Sequence, residues 1–304
     1  MTARALLITL AALVLGVAAN TAQAQAPSTA NVVFIVDESG SMAGEQAFLQ
    51  NIIGDLDAAL TTAGVGTTTY GVVGFGGTNG SNTCCFGQGA RDASGGLVGL
   101  GDAQTALNGL ITSGGFEDGY QAIDFALNTY NLTGEAVNFI LVTDEDRDVG
   151  VGSLDAAAIE TALTAEGILL NAIINARNFS NPGVGGGLVD GDGNIALGID
   201  SSGDAYLADG AGGFTTSAGG QAVSGAGTTI ADYVDVALNT GGAAWDLNQL
   251  RAGISDPLLA DSFAASFLAI KVQEITEVTV PEPGTLGLLG LGLLGLGAVR
   301  RRSS

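Results

Sequence analysis

Histidine is absent from all 304 residues. That absence excludes a Ser–His–Asp triad and a His-ligated zinc centre. Paired carboxylates of the glycosidase kind remain chemically available. No pair stands apart from the other acids, however, so a binding protein is expected and not an enzyme. Cysteine is nearly absent too. Cys84 and Cys85 are adjacent in "SNTCCFGQG". An exported chain can keep disulfides, so a strained bond between the two neighbours, pairing with another molecule and two free thiols all compete, with the vicinal disulfide favoured. A nucleophilic thiol is not expected without a histidine to act as base. Basic residues are also scarce, nine Lys and Arg against 31 Asp and Glu. Such a chain repels nucleic acid and anionic lipid.

What is present begins with two terminal addresses. In residues 1–24, Arg4 precedes the apolar "ALLITLAALVLGVAA", and "AQA" at 22–24 (with a second at 24–26) closes the segment with small residues. This is the three-part pattern of a secretory signal peptide. The other end reads "VPEPGTLGLLGLGLLGLGAVRRRSS". Residues 284–299 are uncharged and mostly Leu and Gly. As a helix they would span about 24 Å, short for a hydrocarbon core of about 30 Å. Arg300 to Arg302 follow, and the positive-inside bias puts them in the cytoplasm with the preceding domain outside. Pro-Glu-Pro, the short apolar span and the arginines together resemble the PEP-CTERM sorting signal of Gram-negative bacteria, over residues 280–302. The resemblance implies sorting by the membrane protease exosortase and a transient stay in the inner membrane. It also implies a destination at the cell surface or in an extracellular matrix of exopolysaccharide and biofilm.

Residues 25–280 remain for the folded part. Setting aside Arg4, Arg300 to Arg302 and Glu282 leaves five basic residues against 30 acidic ones, a net charge of about −25 that suits divalent cations. Strand and helix patterns alternate through this region. "NVVFIVD" (31–37) is an almost unbroken apolar run, as in a strand covered on both faces. Residues 44–60 place Phe48, Ile52, Leu56 and Leu60 at helical spacing. Strands are expected over 67–76, 136–146 and 168–176, and in "AAWDL". Helices are expected over 102–111, 118–130, 154–167, 229–242 and 257–275. Between them, residues 178–227 are rich in Gly, Asp and Ser, with short apolar alternations that predict a β insertion. "DGDGN" at 190–194 has the flavour of a Ca2+ loop but lacks a Glu at the twelfth position, so a solvated turn is expected. The alternation gives an α/β fold, a doubly wound, mostly parallel open sheet.

Ligands of such sheets bind beyond the carboxyl ends of the strands. The first strand ends in Asp37, with Ser39 and Ser41 behind it. The strand over 136–146 carries Asp144 to the same rim. A glycine-rich helix start presents Glu117 and Asp118. "DESGS" (37–41) is the D-x-S-x-S of the von Willebrand factor type A (vWA) domain, which it resembles together with "VNFILVTDE" and "ALNTGGAAWDL". The likeness runs over residues 31–177 and 228–275. It implies a metal-ion-dependent adhesion site (MIDAS). Ser39 and Ser41 would touch Mg2+ (or Ca2+ or Mn2+) through their hydroxyls, Asp37 and Asp144 would hold its waters, and a partner's acidic group would complete the coordination. That partner would be an extracellular protein or polysaccharide. Many members carry a Thr in the third loop, whereas "GGFEDGYQAI" has none. It looks more like the loop of integrin β-subunit domains, which makes Glu117 the matching ligand and Asp118 the alternate.

Overall fold

The computed structural model describes residues 26–79, 88–176, 187–250 and 257–277. The expected signal segment, the apolar span at 284–299, Cys84 and Cys85 all lie outside the described residues.

The long apolar runs form the centre of one sheet. β1 (Thr29–Asp37), β2 (Thr67–Phe75), β4 (Ala136–Thr143), β5 (Leu169–Ile174) and β11 (Ala243–Asp246) lie parallel in the order β2-β1-β4-β5-β11. Helices cover both faces, so each of these strands must be apolar on both sides. β1 shows the division residue by residue. Val32, Phe34 and Val36 face one core with Ile52, Leu56 and Leu60 of α1 (Gln46–Thr62), Leu107 of α2 (Leu100–Asn108) and Phe263 of α6 (Pro257–Thr276). Val33 and Ile35 face the other core with Ile123 of α3 (Gly119–Thr129), Leu163 of α4 (Ala156–Ala165) and Val236 of α5 (Asp235–Asn239). This is the doubly wound α/β arrangement expected, with element ends shifted by a few residues. The helix expected over 229–242 differs more. It opens with a π-helical turn at Ile230–Val234 before α5 begins.

Both edges are antiparallel. The two-residue β3 (Arg91–Asp92), which no sequence pattern marks, pairs with β2. Beyond β11 the sheet continues through β7 (Gly198–Asp200), β8 (Asp204–Ala208) and β9 (Phe214–Ala218), nine strands in all. The Gly/Asp-rich segment therefore extends the main sheet. Among the described residues only β6 (Leu188–Val189) and β10 (Gln221–Ala222) form a separate pair.

Three turns in this segment share one construction. Asp190, Asp200 and Asp209 each accept, on Oδ1, the backbone N–H groups two and four residues on, at 2.7–3.0 Å. The third residue after each is Gly193, Gly203 or Gly212, at φ +83°, +84° and +89°. Only glycine takes that conformation without strain. These aspartates close their own turns. Among the described residues no helix is long and apolar enough to cross a membrane.

Candidate metal centre

β1 is followed in sequence by β2 on one side, and β4 lies on its other side. The sheet order thus reverses beside β1, which opens a crevice at the carboxyl ends of β1 and β4. Asp37 is the last residue of β1 and Asp144 is the first after β4. Both are buried.

The loop after β1 turns back on itself through its own acid. Ser39 N–H donates to Asp37 Oδ1 at 2.7 Å, and Thr143 Oγ1 donates to Asp37 Oδ2 at 3.0 Å. The Ser39 and Ser41 hydroxyls are 2.9 Å apart, and Ser41 Oγ donates to Asp144 Oδ1 at 2.9 Å. Glu117 arrives from the loop before α3. Its backbone is clamped by Asp148, whose Oδ2 accepts from Glu117 N–H at 3.1 Å and whose own N–H donates to Glu117 O at 2.9 Å. Carboxylate oxygens of Asp37, Glu117 and Asp144 then lie within 4.8 Å of one another. Glu117 is 2% exposed, and its Oε2 has no hydrogen-bond partner.

The crowded, buried crevice raises the proton affinity of Asp37 and Glu117. Burial, then the Asp144 charge, pushes Asp37 from 3.8 up to about 7 against the pull of the Ser39 N–H. Burial, then the charges of Asp37, Glu145 and Asp144, pushes Glu117 from 4.5 up to about 9. Among the described residues no basic side chain relieves them. Of the three basic residues described, Arg91 pairs with Glu38, Arg147 with Asp118 and Lys271 with Glu274.

The donor set is all oxygen, two hydroxyls and three carboxylates, as hard divalent cations require. A cation would supply the missing counter-charge and a partner for Glu117 Oε2. Asp37, Ser39, Ser41, Glu117 and Asp144 therefore fit such an ion.

Asp118, one residue on, is engaged elsewhere. It accepts from Arg147 Nε at 2.6 Å, from Gly150 N–H at 2.9 Å and from Gln121 N–H at 3.3 Å, the last as the N-cap of α3. The Arg147 guanidinium also stands 4.4 Å over the Tyr120 ring. Asp118 thus fixes the loop that carries Asp148, and through it Glu117.

Sequence reasoning missed three supports. Glu38, the variable second position of D-x-S-x-S, is fully buried and turned away from the cluster. It binds both Nε and Nη2 of Arg91 and accepts from Ile111 N–H at 2.8 Å, which ties β3 and the Glu117 loop to β1. Room for it comes from Gly74, where an added Cβ would lie 2.3 Å from Glu38 Oε2. Gly76 opens the same kind of space for Glu117. The signal available was "GFGG" at 74–77, a glycine cluster at a strand end where backbone must pass close to side chains.

A family model described as the PEP-CTERM protein-sorting motif matches residues 279–302. No curated protein matches the chain in sequence. Among solved structures, proximal thread matrix protein 1 (PTMP1) from the mussel byssus aligns in two crystal structures. One, crystal form 2, has a TM-score of 0.38 at 17% identity over 51% of this chain and 38% of that one. The other has a TM-score of 0.36 at 18% identity, over 50% and 37%. The chain spans less than two-fifths of the length of that protein. The sorting motif indicates export in a Gram-negative bacterium and implies sorting by exosortase.

Proposed function

We propose that this is a vWA-type domain that works outside the cell as a divalent-cation-dependent binding protein of the surface or exopolysaccharide matrix, and not as an enzyme. The observation that carries the reading is the buried meeting of Asp37, Glu117 and Asp144 beside two serine hydroxyls, with Glu117 Oε2 unpartnered. The neutral hydroxyls of Ser39 and Ser41 leave a bound Mg2+, Ca2+ or Mn2+ electrophilic. A coordination position left open on it would take the acidic group of a matrix protein or polysaccharide. The D-x-S-x-S spacing and the position of Asp144 after β4 support the family. The sorting motif supports the setting.

A second reading is favoured by Glu117 itself. A third carboxylate in the cluster offsets the charge of a divalent ion and weakens its pull on an outside acid. The ion would then serve the fold of a matrix component.

The test uses the chain freed of residues 281–304, labelled and offered to the producing organism's extracellular matrix. Retention in Mg2+ that is lost in chelator and in the Ser39→Ala/Ser41→Ala variant supports cation-dependent binding. Retention unchanged in both favours the structural role. Measured at saturating Mg2+, Glu117→Thr separates the readings further: it should strengthen capture if an acidic partner binds the ion, and leave capture unaltered if none does.

A further inference from the structure

We infer that the chain, while its C-terminal segment is in the membrane, stands with the amino-end pole of its sheet on the bilayer and holds the acidic carboxyl-end rim outward, on a tether too short for it to turn over.

The direction follows from α6. Near its start, Phe263 packs edge-on against Phe48 at 5.6 Å and against Trp245 at 5.7 Å, and Trp245 lies toward the carboxyl end of β11. Near its end, Glu274 Oε2 accepts from Asn138 Nδ2 at 2.8 Å and from Asn171 Nδ2 at 3.0 Å. Those asparagines stand in the amino-end halves of β4 and β5. α6 therefore runs antiparallel to the central strands and delivers the chain to the pole opposite Asp37 and Asp144. A buried lattice fixes it there. Lys271 Nζ, fully buried, donates to both Asn171 Oδ1 and Glu274 Oε2. The amino terminus leaves from the same pole, since β1 begins at Thr29 beside Thr67 and Ala30 beside Ala136.

The sorting motif starts at residue 279, two residues after Glu277, the last described. Six residues lie between Glu277 and Gly284, where the uncharged stretch begins, so seven residue steps span the gap. Fully extended they reach about 25 Å. A body of about 250 residues has a radius of gyration of about 18 Å, hence a width of about 45 Å. Bringing the rim to the bilayer would place the exit point a full width away, beyond that reach. The surface this leaves open to partners is the rim with the candidate metal centre, and the partner it fits approaches from the matrix side and not from the lipid.

The test uses the chain from residue 25 to 304, freed of the expected signal segment so that the C-terminal segment is its one apolar anchor, in vesicles of phosphatidylethanolamine and phosphatidylglycerol. An azide-bearing residue replaces either Val149, 63% exposed on the rim loop, or Ser202, exposed in the β7–β8 turn at the amino-end pole. Cys84 and Cys85 stay untouched. Each site carries a donor dye, with an acceptor on the lipid headgroups. Energy transfer several-fold stronger from position 202 than from 149 is expected. A twenty-residue Gly/Ser linker placed after Glu277 should erase most of the contrast. Equal transfer, reversed transfer, a contrast that survives the linker, or a chain that never enters the vesicle would each overturn the inference. The near-ultraviolet signal of buried Trp245 checks that every variant is folded.

Discussion

A Cβ added to Gly76 would lie 3.1 Å from Glu117 Cγ and 3.1 Å from Asp37 Oδ1. One glycine, at φ +74°, thus separates two of the three converging acids and lets them meet. Gly76→Ala must adopt a strained backbone as well as push into the cluster. A non-glycine residue held in that region costs about 1–3 kcal/mol. The expected outcome is a lower unfolding midpoint in chelator and a smaller rise on adding Ca2+ than the wild type shows. A midpoint that rises with Ca2+ as fully as in the wild type would separate Gly76 from the centre.

Chelated protein should lose stability as pH rises. Asp37 and Glu117 have folded pKa values of about 7 and about 9, above their ordinary 3.8 and 4.5. The folded state therefore binds more protons than the unfolded one between the ordinary and raised values. Stability then falls with rising pH, by up to about 1.4 kcal/mol per pH unit for each proton held. The loss is complete only above about 9. A cation displaces those protons, so its apparent affinity should climb from pH 6 to pH 9. Urea midpoints at several pH values, with chelator and with Ca2+, check both slopes. Flat curves in chelator would show that the acids do not share one buried site.

Lys271 sets the opposite slope. Burial lowers its pKa from 10.5 to about 8 despite Glu274. Its folded form releases a proton first, so between about 8 and 10.5 stability rises with pH. Glu274→Leu would leave the buried ammonium without a counter-charge, which costs about 3–5 kcal/mol. Adding Lys271→Met to that variant should recover part of the loss. A double variant no better than Glu274→Leu alone would show that the asparagines, and not the charge pair, hold α6.

Much of this arrangement is legible in the sequence, for physical reasons. Strands covered on both faces must be apolar throughout, so β1 and β4 announce themselves, and with them the rim where Asp37 and Asp144 fall. D-x-S-x-S is local, so Ser39 and Ser41 are found by spacing alone. Glu117 ranks ahead of Asp118 in the sequence only through the resemblance; what separates them physically is Arg147, 29 residues away from Asp118 in sequence. Glu38 reads as a filler position until Gly74 and Arg91 close around it. The insertion's strands could be foreseen but not their partner, since a short antiparallel strand carries no mark of the sheet edge it joins. The D-x-x-G-x turns were present as text. Their meaning depended on backbone N–H groups that no pattern displays.

The neighbours Glu117 and Asp118 should respond to neutralisation in opposite ways. Glu117→Gln removes a buried carboxylate whose Oε2 finds no donor. The chelated protein should become more stable at pH 8, while Ca2+ binding weakens at least tenfold, about 1.4 kcal/mol. Asp118→Asn removes the counter-charge of Arg147 and weakens the N-cap of α3. Breaking a largely buried pair costs about 3–5 kcal/mol, so stability should drop with or without the ion. Its Ca2+ affinity, measured by calorimetry under folding conditions, should change much less than that of Glu117→Gln, because Asp118 acts on the centre only through the loop that carries Asp148. If Asp118→Asn abolished cation binding in a folded protein while Glu117→Gln spared it, the ligand would have to be reassigned to Asp118, and the loop drawn around Arg147 would have to open when the ion enters.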